Sequence, residues 1–417
     1  MIKGTTTAPS PSDGGRRILF IDHAATPGGG QLALLWLLEH LSRLRPTVVF
    51  LADGPVAERL RAVGVDVTVV YPGRAFTPRM LLTALPRLLR TVGNAKPDAV
   101  VATSAAAVKA LALLPFRNVP ALVYLQEDLE RVRHRGLVTQ ILFRLVYPAF
   151  DGFLANSKWT ASTIPAGFSE IPRTVAYPPS NVPATPPEPT PRTFPRRGTI
   201  RIAAFSRPER WKGLDLVVDA LSIVKAERPD ADFRLDLYGG GPVGDAAYVD
   251  GLRLSLERAP FPSEMHGHVD DVPLRMATTD ILILPSRLPE PFGQVVAQGL
   301  AHACVVIVSD QGGALEQIDA GRNGLVFRPG SARSLADQIE GLLDVPRRAD
   351  ALLRGSHGVF SAFGNPQLAA SFEDELESLI RRIHADSRQP IGVRRLRRRI
   401  RLLLRAWDCA HPEAPPH

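Results

Sequence analysis

The sequence has almost no cysteine. Its 417 residues include two, Cys304 and Cys409, too few for a disulfide framework or a cysteine zinc site, which fits a reducing compartment. It lacks a leading apolar segment: the start, MIKGTTTAPSPSDGG, has no signal-peptide core. Apolar runs elsewhere fall well short of the ~20 residues that cross a bilayer. Metal-ligand spacing is absent too. Asp230-Ala231-Asp232 imitates an Asp-x-Asp metal motif, but it follows a charged stretch in a loop before a strand and reads as a solvated turn. These absences exclude a secreted scaffold and a membrane-spanning protein. They leave an expectation of a cytoplasmic protein, or one bound at the inner face of the plasma membrane, with no metal and no cofactor.

What is present is an ordinary soluble composition, 45% hydrophobic and 22% charged, in a chain long enough for two cores. The net charge is +8, and residues 391–417 supply +5 of it through seven arginines against Asp408 and Glu413. The remaining residues, at +3, make a poor polyanion binder, so no nucleic-acid partner is expected.

From Arg16 short β-branched runs alternate with amphipathic stretches. The runs are RILFID, TVVFLA, VDVTVVY, DAVVATS, ALVYLQE and GFLANS, and the rhythm is that of βαβ units on a parallel sheet. Residues 181–199 carry six prolines without apolar periodicity and read as a stiff linker. The rhythm restarts at IRIAAFS and continues through RLDLYGG, DILILPS, CVVIVSD and GLVFRP. The expected fold class is α/β, with two Rossmann-like doubly wound domains at 16–180 and 200–365 and a ligand cleft between them. A flexible tail at 1–15, a helix at 366–390 and an Arg-rich tail at 391–417 complete the organisation.

Three loops carry candidate chemistry, each at the carboxyl end of a strand, where open α/β sheets bind ligands. Gly28-Gly29-Gly30 follows the first strand and opens a helix. One glycine would serve an ordinary turn, whereas three let a ligand approach backbone N–H groups. Arg207 and Lys212 flank the loop after the first strand of the second domain, where a diphosphate could meet a helix start; chance cations on a solvated loop are the plainer reading. SRLPEPFGQVVAQGLAHA places Glu290 in a Pro-Phe-Gly elbow after an apolar strand, with Gln298 on the helix that follows. A buried carboxylate needs hydrogen-bond donors, and sugar hydroxyls would supply them. Gly239-Gly240-Gly241-Pro242-Val243-Gly244 matches G-x-G-x-x-G, but proline interrupts it and it follows the second strand, so a loop is favoured over a dinucleotide site.

Taken together, the Gly-rich first loop, SRPERWKG, HGHVDD and the stretch from ATTDILILPSRLPEPFGQVVAQGLA to NGLVFRPG resemble the family-4 glycosyltransferases. The likeness runs from about Arg17 to Ser331. It implies the GT-B fold, two Rossmann-like domains facing a central cleft, and metal-independent transfer of a sugar from a nucleotide-diphosphate sugar with retained anomeric configuration. By that likeness Arg207 and Lys212 hold the diphosphate and Glu290 contacts the donor sugar. The N–H groups at Gly29, Gly30, Phe292 and Gly293 assist, and backbone near Val269 reads the base. The second glutamate of the family's paired motif, a ribose acceptor, falls on Gln298. The family's histidine after the fifth strand falls on Gln126, or on Glu127 if the alignment shifts by one. Both replacements depart from the family pattern. Glutamine still hydrogen-bonds but carries neither the charge nor the proton.

The expected partners are a nucleotide sugar and a glycan or lipid-linked acceptor, in cell-envelope or polysaccharide synthesis. A catalytically silent sugar-nucleotide-binding homologue, or another two-Rossmann enzyme such as an epimerase, is the alternative. The tail, Ile391 to Trp407, places Leu396, Ile400, Leu403 and Trp407 on one helical stripe with arginines around it. Two readings stand: a helix packed on the protein, and a cationic helix lying on an anionic membrane surface.

Overall fold

The structure is a computed structural model that describes residues 14–73, 80–112, 119–133, 137–186, 194–195, 198–240, 245–385, 390–395 and 397–398. Most of the 1–15 tail, much of the 181–199 linker, the end of the Gly239 to Gly244 loop and residues 399–417 lie outside these. The chain forms two compact units, one from residues up to Pro179 together with those from Leu368 on, the other from Ser180–Gln367. No helix among the described residues is long and apolar enough to cross a membrane.

The first unit holds a seven-stranded parallel sheet: β1 (Arg17–Asp22), β2 (Arg45–Ala52), β3 (Asp66–Tyr71), β4 (Ala99–Ala102), β5 (Ala121–Leu125), β6 (Gly152–Ala155) and β7 (Arg173–Val175). The order β3-β2-β1-β4-β5-β6-β7 reverses direction between β1 and β4. Alternate residues of β1 feed two cores. Ile18 and Phe20 face one layer of helices, and Leu19 and Ile21 face the other, which is why the strand is apolar at every position but its ends.

The second unit repeats the plan with β8 (Ile200–Phe205), β9 (Phe233–Tyr238), β10 (Ser263–Gly267), β11 (Ile281–Leu284), β12 (Val305–Ser309) and β13 (Gly324–Phe327), ordered β10-β9-β8-β11-β12-β13. Every pairing is parallel, and Ile202 and Ala204 face one core while Ala203 and Phe205 face the other. Asp232 lies in the loop before β9 and accepts from the Thr199 hydroxyl at 2.7 Å, at the opposite end of the sheet from Lys212.

The helix Asn365–Ala385 belongs to the first unit from Leu368 on. Phe372 packs on Phe20 and edge-on to Tyr124, with ring centroids 6.3 and 5.4 Å apart. Glu373 is fully buried and accepts the N–H groups of Ser42, Arg43 and Leu44 at 3.0, 2.7 and 3.1 Å, so its charge is met by a turn rather than by solvent.

The arginine tail departs in part from expectation. Residues 391–395 are helical, Ile391 joins the first unit's core, and Arg395 is buried. Arg395 grips Asp151, which precedes β6, through Nε at 3.0 Å to both oxygens and through a terminal guanidinium N–H, and donates to the Val119 carbonyl at 2.6 Å. Arg398 donates to the Phe150 carbonyl and Arg394 to that of Ile383. These arginines therefore do not cover a solvated face. A buried carboxylate and backbone carbonyls take up Arg394, Arg395 and Arg398, as the reading of a helix packed on the protein expects, while Arg397 is exposed. Residues 399–407 lie outside the described chain.

Candidate functional site

In the second unit two loops meet where the sheet reverses. Gly213, at φ +69°, leads from the loop after β8 into the helix Leu214–Glu227. A Cβ there would lie 2.3 Å from the Pro285 carbonyl oxygen, so glycine is what lets this loop close on the one after β11. The Arg287 N–H ties the same loops by donating to the Trp211 carbonyl at 2.7 Å. Closure brings Lys212 Nζ to 2.6 Å from Glu290 Oε1, and the Ser286 hydroxyl donates to that oxygen at 2.5 Å. The two side chains are 16% and 7% exposed, a nearly dry ion pair that supplies the donors a buried carboxylate requires.

Glu290 is fixed from behind. Its backbone bridges to Gly312, and the Gly313 N–H donates to its carbonyl at 2.7 Å. Buried Gln317 donates to the Phe292 carbonyl at 2.6 Å and accepts the Ala297 N–H at 3.0 Å. One amide thus locks the Pro-Phe-Gly elbow to the first turn of the helix Gln294–Ala301. Phe292 is buried beside Phe363, with ring centroids 6.2 Å apart, and Gly293, at φ +78°, starts the helix. Gln298 is buried on that helix, and Val269 packs half-buried against the same core.

Arg207 is not gathered into this cluster. Its guanidinium lies 2.8 Å from Glu209 and its side chain is 57% exposed. Glu209 also accepts the Trp211 indole N–H, and Lys212 Nζ sits 4.0 Å from the centre of the Trp211 ring.

The first unit carries a second cluster at its own reversal. Asp22, the last residue of β1, is fully buried. It accepts the Thr103 hydroxyl at 2.6 Å, the Gln31 side-chain amide at 3.0 Å and the His23 N–H at 2.6 Å. The His23 Nδ1 lies 2.7 Å from Asp22 Oδ1 while the side chain is 44% exposed. Burial works to raise the Asp22 carboxyl, but hydrogen bonds from His23, Thr103 and Gln31 outweigh it and hold the group below the usual carboxylate range. In turn the bond to Asp22 holds the His23 imidazole above its ordinary value against the opposing effect of burial, and the charge of Glu127 adds to the shift.

Gln126 joins this cluster. Its amide donates to the Thr103 carbonyl at 3.3 Å, and a Cβ on Gly30 would lie 3.0 Å from its Oε1. Gly30 therefore lets the helix Gly29–Leu38 start against Gln126. Gly28, Gly29, Gly30, Gln126 and Glu127 sit around one strand-end cluster. Lys212, Glu290, Phe292, Gly293 and Gln298 sit around the other, and Arg207 stands apart on Glu209.

Several residues of both clusters were not apparent from sequence. Ser286 and Gln317 look like loop and helix polar residues; Ser286 is revealed by its bond to Glu290 four residues on, Gln317 by pairing with residues 20 and 25 away. Asp22 and His23 did leave a trace: an apolar strand that ends in adjacent acid and imidazole just before a Gly-rich turn.

Among the described residues one group has metal-ligand spacing, Asp236, Glu264 and His266. Arg234 already donates to both Asp236 oxygens, at 2.6 and 3.1 Å, and His266 Nε2 lies 2.9 Å from Oδ1, so a guanidinium fills the cation's place. His266 stacks on Tyr238 and Tyr238 on Phe205, with centroids 4.5 and 4.8 Å apart, beside the strip that leads to Val269.

The family model described as glycosyl transferases group 1 matches residues 199–345, and the one described as glycosyltransferase family 4 matches residues 27–182. A D-inositol 3-phosphate glycosyltransferase of Pseudarthrobacter chlorophenolicus is 28% identical over 157 residues, 36% of this chain and 36% of that protein. The mannosylfructose-phosphate synthase of Agrobacterium fabrum is 30% identical over 135 residues, 31% of this chain and 29% of that protein. The chain spans between about a third and a half of the length of the curated relatives first matched. Among solved structures, Anabaena Alr3699/HepE in complex with UDP-glucose superposes with a TM-score of 0.74 at 23% identity, covering 87% of this chain and all of that one. The sucrose-phosphate synthase of Thermosynechococcus elongatus follows the same fold, at a TM-score of 0.66 and 16% identity over 89% of this chain.

Proposed function

The chain belongs to the family-4, group 1 glycosyltransferases, with the two doubly wound units of the GT-B fold, and from that premise we propose that it moves a sugar from a nucleotide-diphosphate sugar to an acceptor hydroxyl. The observation that carries the proposal is the dry Lys212–Glu290 pair at the reversal of the second sheet. In the donor complex Lys212 turns part of its charge to the diphosphate, and exposed Arg207 exchanges Glu209 for it. Glu290, relieved of some of its claim on Lys212, accepts from hydroxyls of the donor sugar. Backbone N–H groups at Phe292 and Gly293 add to the field around the departing phosphate. Gln298 offers its amide oxygen to the ribose.

The reaction we assign keeps the anomeric configuration. The bond from the anomeric carbon to the phosphate oxygen breaks as the acceptor oxygen bonds on the same face, and the hydroxyl proton passes to the leaving phosphate. Lys212 and Arg207 provide the positive charge, so the reading includes turnover without a divalent metal. The Anabaena structures hold UDP, with glucose or as UDP-glucose, which makes UDP-glucose the first donor to try. For the acceptor the reading is a glycan or lipid-linked hydroxyl of envelope or polysaccharide synthesis. Residues 399–407, with Arg399, Arg401, Arg405 and Trp407, then serve as a contact to anionic lipid.

The test is a sugar-nucleotide panel, read by thermal shift and by sugar release or transfer with and without chelator. One preferred donor that is both bound and turned over in chelator supports the proposal. Binding without turnover under any condition makes the chain a silent binder. Co-sedimentation with anionic vesicles, full chain against a truncation after Arg398, tests the lipid contact separately; equal binding of the two forms removes it.

A further inference from the structure

A second ion pair joins the loops of Lys212 and Glu290. Just past Lys212, in the first turn of the helix Leu214–Glu227, stands Asp215, and just before Glu290 stands Arg287, whose guanidinium donates to Asp215 Oδ2 at 2.6 Å. The polarity is crossed. The stretch after β8 supplies the cation Lys212 and the acid Asp215, the loop after β11 supplies the acid Glu290 and the cation Arg287, and each charge takes its partner from the other side. The second Asp215 oxygen accepts the Tyr248 hydroxyl at 2.9 Å. Tyr248 is buried on the helix Ala246–Glu257, and burial, then the charge of Asp215, holds its phenol above the ordinary value, so it keeps its proton for that bond. With both oxygens engaged, the carboxylate cannot turn. Arg287 in effect grips the chain on either side of Lys212, its N–H on the Trp211 carbonyl at 2.7 Å and its guanidinium on Asp215. On its own loop it adjoins Ser286, whose hydroxyl donates to Glu290 at 2.5 Å and whose carbonyl accepts the Gln311 side-chain amide at 3.0 Å.

We propose that Arg287 and Asp215 are positioning residues for the donor site, holding Lys212 and Glu290 at a fixed spacing when a diphosphate draws Lys212 away from Glu290. The inference rests on the glycosyltransferase reading and deepens it. Lys212 cannot give its charge to a diphosphate and keep all of it on Glu290, so the donor loosens one of the contacts that close its own site. Were that contact the main tie, the loops would slacken just when both must grip one ligand, and a small misplacement of a binding group is costly. The Asp215–Arg287 pair keeps the same two stretches together without Lys212. Its sign also speaks for this role. On charge alone Asp215 opposes an anionic donor, so a site built only to attract a diphosphate would do better without it. What Asp215 contributes is the arginine it holds.

The experiment uses the full chain, the sugar nucleotide that the panel selects, UDP-glucose first, and the matching free diphosphate, UDP. Affinity for each is measured by calorimetry, and sugar release is followed, for wild type, Arg287→Ala, Asp215→Asn and the double variant. Thermal unfolding without ligand checks that each is folded. UDP calls on Lys212 alone, whereas UDP-glucose calls on Lys212 and Glu290 together. The expected result in both single variants is UDP affinity within ~3-fold of wild type but UDP-glucose affinity and kcat/KM down ~10- to 100-fold, with the double variant no worse than either. Arg287→Lys, which keeps the charge without the planar fork, should fall between, and it carries the test if Arg287→Ala does not fold. UDP and UDP-glucose weakened alike make the pair a general support of the fold and overturn the inference. Weaker binding in Arg287→Ala with unchanged or tighter binding in Asp215→Asn makes Arg287 a direct phosphate ligand and also overturns it. Wild-type affinities and kinetics in both variants overturn it while leaving the donor reading intact. Failure of wild type to bind any sugar nucleotide overturns the glycosyltransferase reading, and this inference with it.

Discussion

The two sheets are wound alike, yet their reversal points hold different chemistry. Between β8 and β11 the buried carboxylate is Glu290, delivered by the loop of the fourth strand, and its cation is Lys212, from the loop of the first. Between β1 and β4 the buried carboxylate is Asp22, within the first strand itself, and its cation is the neighbouring His23. An ammonium's ordinary pKa lies far above neutrality, whereas an imidazole's lies near it. One scaffold thus presents a permanent cation in one unit and a titratable one in the other. The loops, not the sheets, assign the role.

The largest effect should follow from removing the permanent cation. Lys212→Ala is expected to cut kcat/KM for the donor by ~10²-fold or more, the loss of a charge-stabilising contact in the transition state. It should also lower stability by up to about 3 kcal/mol, because Glu290 is left buried with only the Ser286 hydroxyl. Adding Glu290→Gln should restore much of the stability and none of the activity. Urea unfolding alongside donor kinetics checks both, and a double variant as unstable as the single one would mean that the pair does not act as a unit. Arg207→Ala ranks next. It should lose a similar factor in kcat/KM, but its exposed pairing with Glu209 leaves stability within about 0.5 kcal/mol. Near-normal turnover would make Arg207 a solvated bystander.

The comparison also explains what the sequence could reveal. β11 and β12, β1 between its charged ends and β8 after Arg201 are buried on both faces and so write themselves as apolar runs. The edge strands β7 and β10 do not. Ser263-Glu264-Met265-His266-Gly267 is half-exposed and reads as loop, and Arg173–Val175 is too short to show a period. Glu290 stood out because an acid within a Pro-Phe-Gly elbow has no simpler local reason. Its pairing with Lys212 did not, since no period links residues 78 apart. Gln317 was hidden for the opposite reason, since it has an ordinary local reading as a loop amide, and Asp22 left only the faint trace of an acid that ends an apolar strand. The arginine tail left two readings because periodicity gives a stripe but no partner, and Arg395 finds Asp151 across 244 residues.

A smaller change should sharpen the second unit alone. Gln298 is buried and, in the proposed reading, offers the ribose a neutral oxygen, so Gln298→Glu is expected to lower the donor KM by roughly 5- to 30-fold, the ~1–2 kcal/mol gained when a hydrogen bond becomes charge-assisted. Without donor the same variant should be slightly less stable, because a carboxylate is then buried without its partner. A KM that is unchanged or higher would place the ribose elsewhere.

The smallest effect separates the two reversal points by pH. Folding holds the Asp22 carboxyl below its ordinary value, through hydrogen bonds from His23, Thr103 and Gln31 that outweigh burial, so its contribution to stability is present above the unfolded carboxylate pKa and fades as pH falls through the lower, folded one. Folding holds the His23 imidazole above its ordinary value, first through its bond to Asp22, so that contribution is full below the unfolded histidine pKa and is lost as pH rises through the folded one. The pair therefore stabilises the first unit most in the mildly acidic window between the two unfolded values, and stability should decline gently from there toward alkaline pH. Urea unfolding of wild type and His23→Gln over a pH series is the measurement. The variant should lose the decline above neutrality while the rest of the profile stays parallel. If wild type and variant run parallel over the whole range, the Asp22–His23 contact is not an ion pair in solution, and the titratable half of the comparison falls.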